Sequence, residues 1–226
     1  MTDSRPDFGK KFTYLKASLE NKEYFSALRA LHFARKITTG TRKDGVTPEF
    51  MHQVEMACIA QTLSRGMIYP EQVFSAIFLH DTREDKGIGQ AEIEALFDAQ
   101  TSKAVDLLTY KDRTGMNLPN DVYYPRIAQD PVASVVKGCD GVHNMRTMMS
   151  PFDEPINVAK PTFTLERQKQ RIADCEAYWF PMMREAREIF ASQRSVYQNL
   201  IMIMKMQIHY LRAIHDLMGT LREASA

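Results

Sequence analysis

Four side chains that could bind one divalent metal ion occur in the order His52, His80, Asp81 and Asp140. His80 and Asp81 are adjacent and follow the apolar run 73–79, which predicts a buried helix that delivers both to one point. Imidazole and carboxylate donors together suit a borderline divalent ion, whereas thiolates suit softer metals. Such an ion can act as a Lewis acid and activate water at neutral pH. The spacing therefore favours a hydrolytic metal site. Taken singly, His52 could equally be a solvated helix residue and Asp140 a helix cap.

Two further carboxylates, Glu84 and Asp85, follow the His80-Asp81 pair within about one helical turn. Carboxylates beside a metal can orient a water molecule and carry its proton. On spacing alone the alternative is a solvated charged loop, because Arg83 and Lys86 flank the pair.

Basic and polar residues near the four metal-binding candidates could bind a phosphate-bearing substrate. Arg42 and Lys43 precede the segment that carries His52, and a guanidinium can also stack on a purine ring. Asn144 and Thr147 lie four and seven residues after Asp140, so a helix would place them on its face. The alternatives are a basic surface loop for Arg42 and Lys43, and for Asn144 a role in bracing Asp140.

The elements that must position these side chains are helices, because the hydrophobic periodicity is helical nearly throughout and no useful alternating strand pattern occurs. A polar stretch at 39–46 breaks the first helix, and Thr47-Pro48 and Tyr69-Pro70 are typical helix starts. Three prolines make 150–161 the best candidate for a long surface loop. The prediction is an all-α, single compact bundle with helices over 22–38, 47–65, 70–81, 90–98, 101–110, 121–129, 132–149, 162–190 and 194–223.

The composition is that of an ordinary globular domain of 226 residues with a formal net charge of +1. That charge gives no global field to attract nucleic acid or an anionic membrane, so neither is an expected partner. The three cysteines have no CxxC spacing and suit a reducing cytosol, with Cys58 and Cys175 expected to be buried thiols. No secretory signal or membrane-spanning stretch is visible, so we expect a cytoplasmic protein.

Three motifs together resemble the hydrolase domain of the RelA/SpoT family within the HD superfamily of metal-dependent phosphohydrolases. They are TRKDG at 41–45, HDTRED at 80–85 and DPVASVVKGCDGVHNMRT at 130–147, within a resemblance over about residues 24–190. No synthetase-like region is recognised after it, so the closest resemblance is to stand-alone small alarmone hydrolases.

The resemblance implies a fold, a site and a substrate. It implies an HD-domain helical bundle and manganese, where the residues alone leave manganese, iron, cobalt and zinc open. It implies catalytic roles for Glu84 and Asp85 and recognition of guanine and phosphate by Arg42 and Lys43. The implied reaction is removal of the 3′-pyrophosphate of ppGpp or pppGpp, which gives GDP or GTP plus pyrophosphate.

The sequence departs from the family pattern at three positions. Gln53 follows His52 where proline is usual, and Lys86 replaces a usual threonine. Gly141 stands after Asp140 where the bacterial pattern has a basic residue, which removes a salt bridge or phosphate contact and leaves the nucleotide preference open. None of these changes removes a predicted metal ligand.

Alternative functions remain open on these residues. An HD-type site could hydrolyse another nucleotide, such as ppApp, the 2′-phosphate of NADPH or a deoxynucleotide, and a non-catalytic nucleotide-binding module is the third interpretation. The predicted organisation is an N-terminal extension (1–22), the hydrolase domain (23–190) and a C-terminal helix (191–226). This last helix would pack on the domain or on a partner subunit, which would make a homo-oligomer.

Overall fold

The computed structural model describes residues 8–42, 47–111, 114–149 and 164–224. These residues form helices joined by short turns, and the only β-structure in the described ranges is two isolated bridges, Thr41 with Pro48 and Lys111 with Asn117. The all-α prediction is confirmed. The helices are α1 (Phe8–Asn21), α2 (Phe25–Ile37), α3 (Met51–Leu63), α4 (Pro70–Leu79), α5 (Thr82–Lys86), α6 (Gln90–Leu96), α7 (Ala99–Leu108), α8 (Asn120–Ala128), α9 (Ala133–Met149), α10 (Leu165–Asp174), α11 (Phe180–Ile189) and α12 (Arg194–Ala224).

The helix ends follow from local chemistry. Pro70 begins α4, where its missing N–H costs no hydrogen bond. The Asp98 side chain caps α7 by accepting from the backbone N–H of Thr101. Gly87 ends α5 in the left-handed conformation, with φ of 68°, which a glycine adopts without strain.

The centre of the bundle is α4, whose side chains from Val73 to Leu79 are all buried. Around it pack α2, α3, α7 and α9. A helix that is hydrophobic on every side must be surrounded by other helices. The ends of α4 and of its neighbours are therefore held in fixed positions, which is what a metal site requires.

The helix α9 is crossed closely by α12. A Cβ atom on Gly138 would lie 2.7 Å from Leu200 Cδ1, and one on Gly141 would lie 3.1 Å from Met204 Cε. The buried face of α12 is apolar and includes Val196, Leu200, Met204, Ile208 and Leu211. Within this chain, α12 therefore packs along α9. None of the described helices is long and apolar enough to cross a membrane.

The sequence-based expectations differ from the structure at several points. The helix predicted to start at Thr47-Pro48 begins at Met51, and Pro48 instead forms a β-bridge with Thr41. The short helix α5 was not predicted. The helix α1 was not predicted, yet its Phe12, Leu15 and Leu19 are buried in the common core. The helix predicted over 162–190 begins at Leu165 and passes through a π-helical turn, Cys175–Trp179, before α11. Cys58 is half-buried rather than buried, and all three cysteines are free thiols. The predicted loop at 150–161 lies outside the described residues.

Candidate metal centre

His80 and Asp81 stand at the C-terminal end of α4, where the helix breaks before α5 begins. The Nδ1 atom of His80 lies 2.8 Å from the carbonyl oxygen of Ile77, so Nδ1 carries the proton and donates it. The other ring nitrogen, Nε2, lies 3.0 Å from Asp81 Oδ2. The backbone of α4 thus orients His80 so that Nε2 faces the neighbouring carboxylate.

His52 lies in the first turn of α3 and is buried. Its ring packs 5.3 Å from that of His80, measured between ring centroids. Its Nδ1 lies 2.9 Å from Nδ1 of His143 on α9, while its Nε2 lies 3.4 Å from Asp140 Oδ1. His52 therefore also directs Nε2 towards the acidic side chains.

The structure brings His52, His80 and Asp81 together: one ligand atom from each lies within 4.8 Å of the other two. Two imidazoles and a carboxylate at this separation fit a borderline divalent ion. Each histidine already has its Nδ1 engaged by a second residue, the arrangement that orients histidine ligands in metal sites. The donor set therefore fits a divalent metal.

Asp140, the fourth predicted ligand, lies beside His52 but is held by other partners. Lys137 Nζ donates to its Oδ2 at 3.0 Å, and Asn144 Nδ2 donates to its Oδ1 at 2.6 Å. Among the described residues, Asp140 does not join the group of three within 4.8 Å. Its assignment as a ligand stays a prediction.

The protonation states differ across the site. Burial lowers the pKa of His52 to about 4, so this ring is neutral at physiological pH. Burial opposes the charged form of His80 as well, but the charge and hydrogen bond of Asp81 raise the pKa of His80 to about 9. Burial would raise the pKa of Asp140, yet the ammonium of Lys137 and the contact with His52 hold it well below its usual range. A metal that binds here would displace the His80 proton.

The two carboxylates proposed for catalysis have different surroundings. Asp85 shares a shallow cleft with Asp81 and Glu49, and burial, followed by these two negative charges, raises the pKa of Asp85. Glu84 faces away from that cleft: its Oε1 accepts hydrogen bonds from the backbone N–H groups of Tyr110 and Lys111. Glu84 thus holds the segment after α7, and Asp85 lies next to the metal group.

Three of the four substrate-binding candidates, Arg42, Asn144 and Thr147, lie in the described residues. The backbone N–H of Arg42 donates to the Thr47 carbonyl at 2.8 Å, which places Arg42 beside Thr47, ahead of α3. Lys43 lies outside the described residues. Asn144 braces Asp140, which was the structural alternative weighed for it, and Thr147 donates to the Asn144 carbonyl at 2.9 Å.

The surroundings of Gly141, where the family pattern has a basic residue, show what a larger side chain would meet. Position 141 is buried, and a Cβ there would meet Met204 and Trp179. A basic side chain there would have to displace the end of the Met204 side chain. The glycine therefore lets α9 pack closely against Met204 of α12 at this position.

Three residues at the site were missed by sequence reasoning: His143, Glu55 and Lys137. Both His143 and Lys137 lie three residues from Asp140 on α9, and that spacing was the available signal. Glu55 lies three residues after His52 and binds Nε2 of His143 at 2.8 Å. Its role could not be read from spacing, because its partner comes from another helix.

The comparisons with known proteins agree with the motifs. No family model matches the chain. A Synechocystis protein named probable guanosine-3′,5′-bis(diphosphate) 3′-pyrophosphohydrolase is 30% identical over 127 residues, which are 53% of this chain and 16% of that protein. A Brucella ovis protein named GTP pyrophosphokinase rsh is 28% identical over 156 residues, 66% of this chain and 19% of that protein. The chain thus spans less than a fifth of these relatives.

A solved structure has the same fold. It is that of a metazoan orthologue of SpoT, described as hydrolysing ppGpp, with a TM-score of 0.57 and 20% identity. The match covers 82% of this chain and 94% of that one. The fold and the sequence relatives together confirm that the chain is similar to the HD-type hydrolase domain of the RelA/SpoT family.

Proposed function

We propose that this protein removes the 3′-pyrophosphate from ppGpp or pppGpp. The observation that carries the proposal is the group formed by the buried His52 and His80 and the half-buried Asp81, on a fold shared with a SpoT orthologue. The Synechocystis relative bears the name of this activity. The Brucella relative is named for a different reaction, a pyrophosphokinase acting on GTP, and the His/Asp group supports hydrolysis.

A divalent ion would be held by His52, His80 and Asp81, with Asp140 as the fourth ligand; when bound, it supplies Lewis acidity and charge neutralisation. Manganese is our choice among the borderline ions, on the strength of the resemblance. The side chains contribute positioning. The carbonyl of Ile77 orients His80, and Lys137 and Asn144 orient Asp140.

Asp85 is the side chain best placed to take the proton of the attacking water. It lies in the cleft that contains Asp81, and its raised pKa makes it a stronger base than an ordinary aspartate. We assign Glu84 a supporting catalytic role, since it holds the backbone of Tyr110 and Lys111 at the edge of the site.

The substrate would be held by Arg42 and Lys43 before α3 and by Asn144 and Thr147 on α9. Arg42 and Lys43 supply positive charge for the phosphates, and the Arg42 guanidinium can stack on the base. Asn144 and Thr147 are half-buried on the face of α9 that carries Asp140. Asn144 donates to Asp140, and Thr147 donates to the Asn144 carbonyl.

Turnover on a nucleotide panel tests the proposal. Manganese-loaded protein is incubated with ppGpp, pppGpp, ppApp, NADPH and a deoxynucleoside triphosphate, and the products are separated by anion-exchange chromatography. Release of pyrophosphate from ppGpp is the expected result. If the protein cleaved only another nucleotide of the panel, that nucleotide would be the substrate. Tight binding without cleavage would favour the non-catalytic module.

We also propose that two copies associate through α12 and that the protein is cytoplasmic. Four large apolar side chains on α12 are exposed, namely Met202, Met206, Tyr210 and Leu217, and flexible methionines suit contact surfaces. Light scattering after size-exclusion chromatography would give the mass in solution, and a monomer at micromolar concentration would contradict the association.

A further inference from the structure

The outer face of α12 carries a regular apolar stripe. Met206, Tyr210 and Leu217 are 65%, 52% and 60% exposed. Together with Ile203 and Ala213 they follow one another at intervals of three and four residues. That spacing is typical of a helix that lies along a second helix in a coiled coil. We call these five residues the α12 seam.

The α12 seam faces away from the core of its own chain. Successive residues of an α-helix are about 100° apart, so the five seam residues fall within an arc of roughly 80°. The buried residues Leu200, Met204 and Leu211 are centred roughly 120° from the centre of that arc. The body of the chain therefore leaves the seam open to a second helix.

A charged flank borders the α12 seam, and its sign changes along the helix. Lys205 and His209 are exposed on this flank, and Asp216 is exposed about two turns after His209. Lys205 and His209 also line a groove of about 440 Å³ beside α12, together with two arginines and one glutamate. The end of the flank near Lys205 therefore has a net positive charge, and Asp216 supplies a negative charge farther along.

We infer that two copies of the chain pair through the α12 seam in an antiparallel arrangement. Met206 then lies against the partner's Leu217. The large Tyr210 lies against the partner's small Ala213, and the twofold axis repeats both contacts. The inference rests on the proposed association through α12 and adds its direction and register.

The charges on the flank select this arrangement. In the antiparallel pair, the partner's Asp216 lies between Lys205 and His209 along the helix axis, where opposite charges attract it. In a parallel pair, each of these side chains would lie level with its own counterpart, acid with acid. Shifting the antiparallel pair by one heptad would bring together two His209 side chains in one direction and two Asp216 side chains in the other. The inferred register therefore avoids the like-charge contacts of its neighbours.

The mass in solution tests whether the seam is the contact. Sedimentation and light scattering of the whole chain should give the mass of two chains. Met206→Glu should raise the dissociation constant at least about 10-fold, because the twofold axis puts the new charge into the apolar contact twice. Tyr14→Glu is the matched control, since Tyr14 is also 65% exposed but lies on α1, and it should leave the constant unchanged.

Cysteine cross-linking tests the direction. Met206→Cys and Leu217→Cys are made separately in a chain with Cys58→Ser, because Cys58 is the one native thiol that is not fully buried. After oxidation, an equal mixture of the two variants should give a cross-linked pair, and each variant alone should not. A tag on one variant identifies the mixed pair by its size. In a parallel pair, Met206→Cys would instead cross-link with itself.

Exchange of the charges tests the register independently. Asp216→Lys should weaken the pair roughly 3- to 10-fold, since two exposed ion pairs are lost from each dimer. Adding Lys205→Asp and His209→Asp to the same chain reverses both signs and should restore the affinity. A parallel pair would show no such recovery.

The outcomes separate this inference from the proposed hydrolysis. A monomer at micromolar concentration would overturn the inference. So would a dimer in which the mixed cysteine variants do not cross-link, or in which Met206→Cys cross-links with itself. Failure to hydrolyse ppGpp would count against the proposed function and leave the geometry of the pair standing.

Discussion

Lys137 Nζ lies 3.0 Å from Oδ2 of Asp140 on the same face of α9, and the two side chains are only 16% and 11% exposed. The ammonium also lies 5.5 Å from the ring centres of Tyr123 and Trp179. A buried charge in such a position is tolerated only with its partner. The pair fixes Asp140 before any metal binds.

Lys137→Met should therefore destabilise the protein by roughly 3 kcal/mol, because it leaves the Asp140 carboxylate buried without its cation. Urea unfolding followed by circular dichroism measures the change. Lys103→Met is the control, since Lys103 is 60% exposed and its partner Asp130 also accepts from the backbone N–H groups of Val132 and Ala133. That variant should cost less than about 1 kcal/mol. Equal losses in the two variants would contradict the role given to Lys137.

Asp81→Asn should weaken manganese binding at least about 10-fold, because it removes a negative charge from the ligand group. The affinity is measured by calorimetry, and metal content by mass spectrometry of dialysed protein. Asp98→Asn provides a matched control: Asp98 caps α7, a position where asparagine serves equally well. If both variants keep full metal content, Asp81 is not a ligand.

Asp85→Asn should lower kcat by about 10²- to 10⁴-fold while metal binding is kept, because the amide cannot take a proton from water. Glu84→Gln should also lower kcat, but less, since its amide oxygen can still accept from the N–H groups of Tyr110 and Lys111. Steady-state rates on ppGpp provide the comparison. A larger loss for Glu84→Gln would exchange the two roles.

The stability contributed by Glu55 should depend on pH. Its pKa is about 2 in the folded protein against an ordinary value of 4.5, so the folded state favours the ionised form. The sign follows from linkage: the contribution, roughly 3 kcal/mol, is fully present above pH 4.5 and declines as the pH falls towards 2. Urea unfolding between pH 7 and pH 3 should show the gap between wild type and Glu55→Gln narrowing as the pH falls. A gap independent of pH would show that the carboxylate charge is not the cause.

Arg42→Ala should raise KM for ppGpp more than it lowers kcat, because stacking and phosphate contacts form in the ground state and the transition state alike. Arg29→Ala, on the exposed face of α2, should leave both constants unchanged. A KM equal to that of the wild type would favour the alternative that Arg42 is only a basic surface residue.

The sequence alone determined the helices that carry the site and the residue types of the ligands. Hydrophobic periodicity is a local property, so the uninterrupted apolar run 73–79 predicted a buried helix that ends at His80 and Asp81. The helix start at Tyr69-Pro70 is an equally local signal, whereas the start predicted at Thr47-Pro48 was wrong, because α3 begins at Met51. The motifs then indicated the family, and the shared fold agrees with it.

Only the tertiary structure decided how those residues are used. The contact between His52 and His143 joins α3 to α9, and the one between Lys11 and Glu55 joins α1 to α3. The orientation of Glu84 towards Tyr110 depends on how α5 meets the end of α7. Periodicity specifies which face of a helix is buried but not which helix covers it. Contacts between distant segments depend on the packing of the whole core, and that packing therefore decides which side chains meet at the site.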